Sequence, residues 1–184
     1  MTLGPMGGPG QPAGPRGELT AAGRDELAAR VIIAPTAADT HDLGRRLAGV
    51  LRAWDLLILA GPLGAGKTAF VQGVGAGLGV QGSVVSPTFV IARVHPAGPD
   101  GTVALVHVDA YRLGSLDEVD DLDLDVDAGS VVTAVEWGSG KVEQLADAHL
   151  QIELARAPDT ETRTVTLRPH GGDWVQRLAD LVRQ

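Results

Sequence analysis

The distribution of apolar residues along the chain predicts a sheet of short strands separated by helices. Short, mostly apolar runs that end at Pro, Gly or acidic residues predict strands, and the run at 56–60 is typical of a strand buried inside a parallel sheet. The predicted strands of this kind are 31–34, 56–60, 89–95, 102–109 and 130–136. The segments 150–154 and 162–167 instead alternate apolar and polar residues around Pro158-Asp159, and they predict an antiparallel hairpin.

The helices are predicted from apolar residues at helical spacing. Leu43, Leu47, Val50 and Leu51 form one stripe on a helix that begins at Thr36 or Thr40 and runs to about Ala53. The other predicted helices are a weak one at 18–30, one from 67 to the stop at Gly77-Leu78-Gly79, a short one at 142–146 and a terminal one at 173–182.

The segment Gly61–Thr68, between the strand at 56–60 and the next helix, fits the pattern G-x-x-x-x-G-K-[ST]. Glycines in such a loop let backbone N–H groups converge on phosphate oxygens, and the helix N-terminus attracts the same anion. We expect Lys67 to reach the β- and γ-phosphates and Thr68 to ligate Mg²⁺. The predicted nucleotide contacts are Gly61, Pro62, Leu63, Gly64, Ala65, Gly66, Lys67 and Thr68.

Two predicted strands end in carboxylates that are candidates for the metal ion and the attacking water. Asp109 ends the strand at 102–109, and Glu136 ends the strand at 130–136. P-loop proteins hold Mg²⁺ through an acidic residue at such a strand end, so at least one of the two is expected at the metal or the water. The sequence leaves open which does which. The acidic stretch Asp117–Asp127 lacks the glycine and glutamate of a calcium loop and predicts a solvated helix or a partner-facing loop.

Composition and charge narrow the class of protein. The chain has no cysteine, no apolar run of membrane-spanning length and no secretion signal, so we expect a cytoplasmic protein. A net charge of −8 argues against a protein whose main task is to grip a nucleic-acid backbone. The absence of asparagine excludes the guanine-reading motif N-K-x-D and favours ATP over GTP. The five histidines have no metal-ligand spacing and are expected to be structural or exposed.

The predicted domain organisation is a tail followed by one domain. Residues 1–17 contain six Gly and four Pro with few apolar side chains, so residues 1–18 are predicted to be disordered. Residues 19–184 are predicted to form an α/β domain with the three-layer P-loop NTPase fold. Its mixed central sheet would contain an antiparallel pair at 89–95 and 102–108 and the C-terminal antiparallel hairpin.

Four motifs in one order resemble the TsaE (YjeE) family of bacterial P-loop ATPases. They are Gly61–Thr68, Ser86-Pro87-Thr88-Phe89, His107 to Leu113, and Val135-Glu136-Trp137. The resemblance covers about residues 31–168. Proteins of this family support synthesis of the threonylcarbamoyladenosine modification beside the tRNA anticodon.

The resemblance implies roles for individual residues. Asp109 resembles the Walker B-type aspartate of the family, Glu136 its second acidic residue at the metal or the water, and Trp137 a neighbour of the nucleotide. Thr88 lies in a loop similar to the family's switch-like loop, and Thr36 lies in a region similar to the one near the adenine. The implied partners are the threonylcarbamoyl transferase subunit and its dimerising partner, with tRNA contacted only indirectly and no membrane.

These observations predict a Mg²⁺-dependent ATPase with Lys67, Asp109 and Glu136 as its catalytic residues. No arginine finger is evident, although Arg93 and Arg112 are candidates, so hydrolysis is expected to be slow until partner proteins complete the site. One alternative is a small-molecule or nucleoside kinase, which shares the phosphate loop. Another is a nucleotide-dependent assembly switch in which hydrolysis acts as a timer.

Overall fold

The computed structural model describes residues 28–87, 91–101, 103–112 and 130–183. The predicted tail at 1–18, most of the segment 18–30, Thr88 and the acidic stretch Asp117–Asp127 lie outside the described residues. In chain order the elements are β1 (Arg30–Ala34), α1 (Ala37–Ala48), β2 (Leu56–Ala60), α2 (Lys67–Leu78), β3 (Ala92–His95), β4 (Ala104–Asp109), β5 (Val131–Glu136), β6 (His149–Arg156), β7 (Arg163–His170) and α3 (Trp174–Arg183).

Seven strands form one mixed sheet in the order β1-β7-β6-β2-β5-β4-β3. The neighbours β4, β5, β2 and β6 are parallel to one another, whereas β3 pairs antiparallel with β4, and β7 pairs antiparallel with both β6 and β1. The predicted α/β fold, with its mixed sheet, antiparallel pair and C-terminal hairpin, is confirmed. The carboxyl ends of the four parallel strands meet at one edge of the sheet, where ligands bind in open α/β sheets.

Alternation along the strands divides the core between the two faces of the sheet. Leu57 and Leu59 of β2 belong to the larger cluster, which also contains buried residues of α1, α2 and α3. Leu56 and Ile58 belong to the second cluster, on the opposite face, where Val142 covers them in the part of the chain that the structure describes. The helix-facing cluster includes Leu43, Leu47, Phe70, Val71, Val74, Trp174, Leu178 and Leu181.

Helices α1 and α2 approach each other so closely that glycine is required at the contact. A β-carbon on Gly44 would lie 2.2 Å from the backbone oxygen of Phe70, and one on Gly73 would lie 1.9 Å from the backbone oxygen of His41. Real β-carbons do not approach backbone oxygens to these distances, so a larger residue would push the helices apart. The contact fixes α1 beside the helix that follows the glycine-rich loop Gly61–Thr68.

The first helix begins as predicted but ends earlier. Thr36 is its N-cap and forms a capping box with Asp39, because the Thr36 side chain accepts from the Asp39 N–H and the Asp39 side chain accepts from the Thr36 N–H. The helix ends at Ala48, so the predicted extension to about Ala53 is wrong. The chain continues through turns in which Val50 and Leu51 donate to carbonyls three residues earlier. Both side chains still pack against the core, which explains why the apolar stripe outlasts the helix.

Smaller differences occur near the C-terminus. The segment predicted as a helix at 142–146 contains only a 3₁₀ turn at Glu143–Leu145. Strand β6 spans His149–Arg156 instead of the predicted 150–154, and β7 spans Arg163–His170 instead of 162–167. The hairpin turns at Pro158 and Asp159 as expected. Among the described residues, no helix combines the length and the hydropathy that crossing a bilayer requires.

Candidate functional site

The glycine-rich loop Gly61–Thr68 connects the carboxyl end of β2 to the first turn of α2. Gly61, Gly64 and Gly66 have φ angles of 139°, 77° and 105°. Residues other than glycine rarely adopt these backbone angles. A β-carbon on Gly61 would also lie 2.2 Å from the backbone oxygen of Leu154 on the neighbouring strand β6. The loop therefore needs its glycines, and it directs the N-terminus of α2 at the edge of the sheet where anions are attracted.

Lys67, the first residue of α2, is buried at this edge with 4% of its surface exposed. Its ammonium group donates to the carbonyl oxygens of Gly61 and Pro62 at 2.8 and 3.1 Å. It also lies 3.8 Å from the centroid of the Trp137 ring. Burial lowers the pKa of Lys67 below its usual value of 10.5, while the nearby carboxylates of Glu136 and Asp109 oppose that shift.

The two predicted carboxylates lie side by side at the carboxyl ends of β4 and β5. Asp109 and Glu136 are register partners in this parallel pair, and both side chains are buried. The hydroxyl of Thr68 donates to Oε1 of Glu136 at 2.9 Å. The backbone N–H of Tyr111 donates to Oδ1 of Asp109 at 3.0 Å. The fold thus brings together the loop hydroxyl and both strand-end carboxylates that the sequence singled out.

His107 is a member of this cluster that the sequence prediction missed. Its Nε2 lies 2.9 Å from Oε1 of Glu136, and its side chain is fully buried. The expectation that every histidine is merely structural or exposed overlooked its position two residues before Asp109, which places both side chains on one face of β4. That spacing was the signal in the sequence that could have found it.

Two aromatic residues, Tyr111 and Trp137, line the site together with the glycine-rich loop. Trp137 follows Glu136 with a left-handed backbone, φ 61°, and its ring meets Tyr111 edge-on with 5.3 Å between ring centroids. The sequence prediction included Trp137 but not Tyr111. A cavity of about 490 Å³ lies between these rings and the loop. Its lining consists of Leu63, Gly64, Gly66, Lys67, Thr68, Ala69, Ser86, Asp109, Tyr111, Glu136 and Trp137.

Gly61, Pro62, Ala65 and Thr36, the other candidate residues that the structure describes, do not line this cavity. The carbonyls of Gly61 and Pro62 accept hydrogen bonds from the Lys67 ammonium group, and Ala65 is buried. Thr36 is exposed at the start of α1, where its carbonyl accepts from the hydroxyl of Thr40. A β-carbon on Gly66 would lie 3.5 Å from the methyl group of Thr40, which places α1 directly beside the loop. Thr88 lies outside the described residues.

The oxygen donors that Thr68 and the two strand-end carboxylates present fit Mg²⁺ better than a softer metal. They are the hydroxyl of Thr68 and the carboxylates of Asp109 and Glu136, which are hard oxygen ligands. Within the described residues, no three His, Asp or Glu side chains come together in the arrangement of a metal cage. Mg²⁺ commonly uses one or two carboxylates and takes its other ligands from phosphates and water, so a small set of protein oxygens fits that ion.

Comparisons with known proteins agree on one family. The family model described as "Threonylcarbamoyl adenosine biosynthesis protein TsaE" matches residues 34–165. A Streptomyces coelicolor protein named "tRNA threonylcarbamoyladenosine biosynthesis protein TsaE" is 58% identical over 138 residues, which is 73% of this chain and 93% of that protein. A Bacillus subtilis protein of the same name is 38% identical over 146 residues, which is 79% of this chain and 89% of that protein.

The fold of this chain is also similar to that of a solved structure. The crystal structure of Bacillus subtilis YdiB matches with a TM-score of 0.67 and 32% sequence identity. The match covers 84% of this chain and 95% of the YdiB chain. The glycine-rich loop, Asp109 and Glu136 all lie inside the range 34–165 that the family model matches.

Proposed function

Because the chain belongs to the TsaE family of threonylcarbamoyl adenosine biosynthesis proteins, we propose that it binds ATP with Mg²⁺ and hydrolyses it slowly. The proposed hydrolysis supports modification of the adenosine beside the tRNA anticodon. The hydrogen bond of 2.9 Å from the hydroxyl of Thr68 to Glu136 carries this proposal. It joins the last residue of the glycine-rich loop to a strand-end carboxylate, beside a buried lysine, and P-loop enzymes hold Mg²⁺ through such a loop hydroxyl and an acidic side chain.

The binding step uses groups that the loop already presents. Backbone N–H groups of the glycine-rich loop and of the first turn of α2 are proposed to bind the phosphates of ATP. When phosphate binds, the Lys67 ammonium group has to exchange the carbonyls of Gly61 and Pro62 for phosphate oxygens. The buried ammonium group then gains negatively charged partners. The cavity of about 490 Å³ between the loop and Trp137 is the proposed phosphate and metal compartment.

Three side chains offer oxygen ligands for the proposed Mg²⁺ ion. Thr68, Asp109 and Glu136 are the residues that would hold Mg²⁺, which when bound neutralises charge on the phosphates. The Thr68 hydroxyl can donate its hydrogen to Glu136 while its oxygen lone pairs remain available to a cation. Asp109 and Glu136 divide the tasks of holding the ion and of accepting a hydrogen bond from the attacking water. The backbone N–H of Tyr111 fixes Asp109 for this purpose.

The described lining of the cavity supports the proposal of slow, partner-dependent hydrolysis. Among the side chains that the structure describes, no arginine lines the cavity. Since an arginine finger accelerates phosphoryl transfer by about 10³- to 10⁵-fold, its supply by another protein would explain dependence on a partner. The proposed partners are the threonylcarbamoyl transferase subunit and its dimerising partner. The net charge of −8 supports indirect rather than direct contact with tRNA.

The test combines calorimetry and hydrolysis assays, with and without the purified transferase complex. Mg²⁺-dependent ATP binding and slow basal hydrolysis that rises with the complex are expected for the unchanged protein. Lys67→Ala should lose both, whereas Lys141→Ala, the only other lysine of the chain, should keep both because Lys141 does not line the cavity. The proposal is wrong if ATP does not bind, or if Lys67→Ala behaves like the unchanged protein.

Two outcomes would favour the alternatives. A phosphorylated nucleoside among the products would indicate a kinase, although β6 and β7, which follow the site, form paired strands of the sheet and not a lid over it. If Glu136→Ala binds the transferase complex and still permits one round of modification, nucleotide state acts as an assembly switch.

A further inference from the structure

Among the described residues, the imidazole of His107 makes one hydrogen bond, and its partner belongs to the proposed site. Its side chain is fully buried in the sheet, and its Nε2 lies 2.9 Å from Oε1 of Glu136. Since an ionised carboxylate only accepts hydrogen bonds, Nε2 must carry the hydrogen in this pair. Across the parallel pair β4–β5, His107 is the register partner of Ala134, two residues before Glu136, so the contact is diagonal.

The same oxygen of Glu136 receives a second hydrogen bond. The hydroxyl of Thr68 also donates to Oε1, at 2.9 Å, so a loop residue and a strand residue hold one atom from two directions. Within the described part of the chain, Oε2 of Glu136 accepts no hydrogen bond. Glutamate has three side-chain torsions, and two donors on one oxygen restrict all of them while leaving the other oxygen available.

We propose that His107 is a positioning residue that holds the Glu136 carboxylate where it can contact the metal ion or the attacking water. This role rests on the proposed function. Thr68 restrains Oε1 from the loop side, and its hydroxyl has a second proposed task as a ligand of the metal. His107 lies in the rigid sheet and has no such second task. It therefore keeps Oε1 in place while Oε2 meets the metal or the water.

A purely structural explanation for His107 is unfavourable. Its Nδ1 is buried and has no hydrogen-bond partner among the described residues. A buried polar atom without a partner lowers stability, so an apolar residue such as Leu105, on the same face of β4, would suit stability better. A residue that reduces stability and holds a site carboxylate is typical of a functional position.

The test uses variants that differ in whether they can donate to Glu136. His107→Leu removes the donor, whereas His107→Gln keeps an N–H donor at about the distance of Nε2 along the side chain. For His107→Leu we expect kcat with the transferase complex to fall about 10- to 100-fold. ATP affinity without Mg²⁺ and the Tm of the unliganded protein should not fall, while the gain in ATP affinity on adding Mg²⁺ should shrink. His107→Gln should recover most of kcat and of that gain.

Two further variants separate positioning from other effects. In a Glu136→Gln background, His107→Leu should cause no additional loss, because the carboxylate that it positions is gone. His149→Leu is the matched control, since His149 is also buried in a strand and its Nδ1 has no partner in the part of the chain that the structure describes, but it lies at the amino end of β6, away from the site. It should leave kcat and the effect of Mg²⁺ on ATP affinity unchanged.

Any of the following results would overturn the inference. A His107→Leu protein with unchanged kcat shows that the hydrogen bond does not matter, and equal losses in His107→Leu and His107→Gln show that donation is not the reason. Losses of Tm that parallel the losses of kcat in both variants make His107 structural. Failure of the unchanged protein to bind ATP with Mg²⁺ is a different result, because it overturns the proposed function before any variant is compared.

Discussion

The ammonium nitrogen of Lys67 lies 3.8 Å from the centroid of the Trp137 ring and donates to two carbonyls of the glycine-rich loop. The indole and the carbonyls together satisfy a buried positive charge. Phosphate bound at the loop would compete for the same ammonium and draw it away from the ring. We therefore expect the Trp137 ring to be sensitive to the position of Lys67.

We expect the fluorescence of Trp137 to change when nucleotide binds. ATP and ADP both carry a β-phosphate that Lys67 is proposed to contact, so both should change the emission as Lys67 leaves the ring. AMP lacks that group and should have little effect at equal occupancy. The measurement is a titration of tryptophan emission with each nucleotide in the presence of Mg²⁺.

The Trp137→Phe variant identifies the source of this signal. Trp54 is exposed and Trp174 is buried beside Arg177, so neither lies in the cavity and both remain as a constant background. The variant should lose the nucleotide-dependent change while calorimetry still detects binding. A change that survives in Trp137→Phe, or an equal response to AMP, contradicts the assignment.

Gly73→Ala should destabilise the protein even though alanine is the better helix former. The new β-carbon would lie 1.9 Å from the backbone oxygen of His41, so α1 and α2 must separate. We expect a loss of about 3 kcal/mol in the free energy of unfolding, measured by urea denaturation. Ala76→Gly, at an exposed position of α2, is the control and should cost only about 1 kcal/mol from helix propensity. Equal or higher stability of Gly73→Ala would show that the helices adjust without cost.

The elements that sequence predicted well depend on local patterns. The apolar run at 56–60, the glycine-rich loop and the helix after it follow one another within the chain, so their types and spacing indicate them directly. Asp109 and Glu136 were predicted because each ends such a run. Their meeting follows from the general rule that parallel strands end at one edge of a sheet.

The contacts that sequence missed depend on which strands become neighbours. His107 looks like one polar residue in an apolar run until β4 is paired with β5, which brings it diagonally opposite Glu136. Tyr111 meets Trp137 for the same reason. The glycine contact between α1 and α2 is also invisible locally, because Gly44 and Gly73 merely lower helix propensity in the sequence.

Arg177→Leu should destabilise the protein through the ion pair that it breaks. The Arg177 guanidinium forms two hydrogen bonds with the Asp55 carboxylate, at 2.6 and 3.0 Å, and both side chains are nearly buried. Removing the cation leaves Asp55 buried without its partner, so we expect a loss of about 3 to 5 kcal/mol on chemical denaturation. Arg45→Leu breaks the exposed pair with Asp42 and should cost about 1 kcal/mol or less. Similar losses for both variants would mean that burial of the first pair does not matter.

His149 should make the protein less stable as the pH falls below neutrality. Burial lowers the pKa of His149 below its ordinary value of 6.5, and the neighbouring ring of His170, stacked at 4.5 Å, acts in the same direction against the weaker opposite effect of Glu143. Between the folded and the unfolded pKa, the unfolded chain binds more protons than the folded one. Stability therefore falls as the pH decreases through 6.5 and stops falling below the folded pKa.

Substitutions can separate the effect of His149 on stability from the titration of other groups. His149→Phe keeps a ring against His170 but cannot take up a proton, so its Tm should fall less than that of the unchanged protein between about pH 7.5 and pH 5.5. Part of the loss should remain, because burial also lowers the pKa of His95. His41→Gln, at a partly exposed position of α1, is the control and should follow the unchanged protein. If His149→Phe and the unchanged protein lose the same Tm over this range, the His149 ring does not resist protonation in the fold, and the acid sensitivity arises elsewhere.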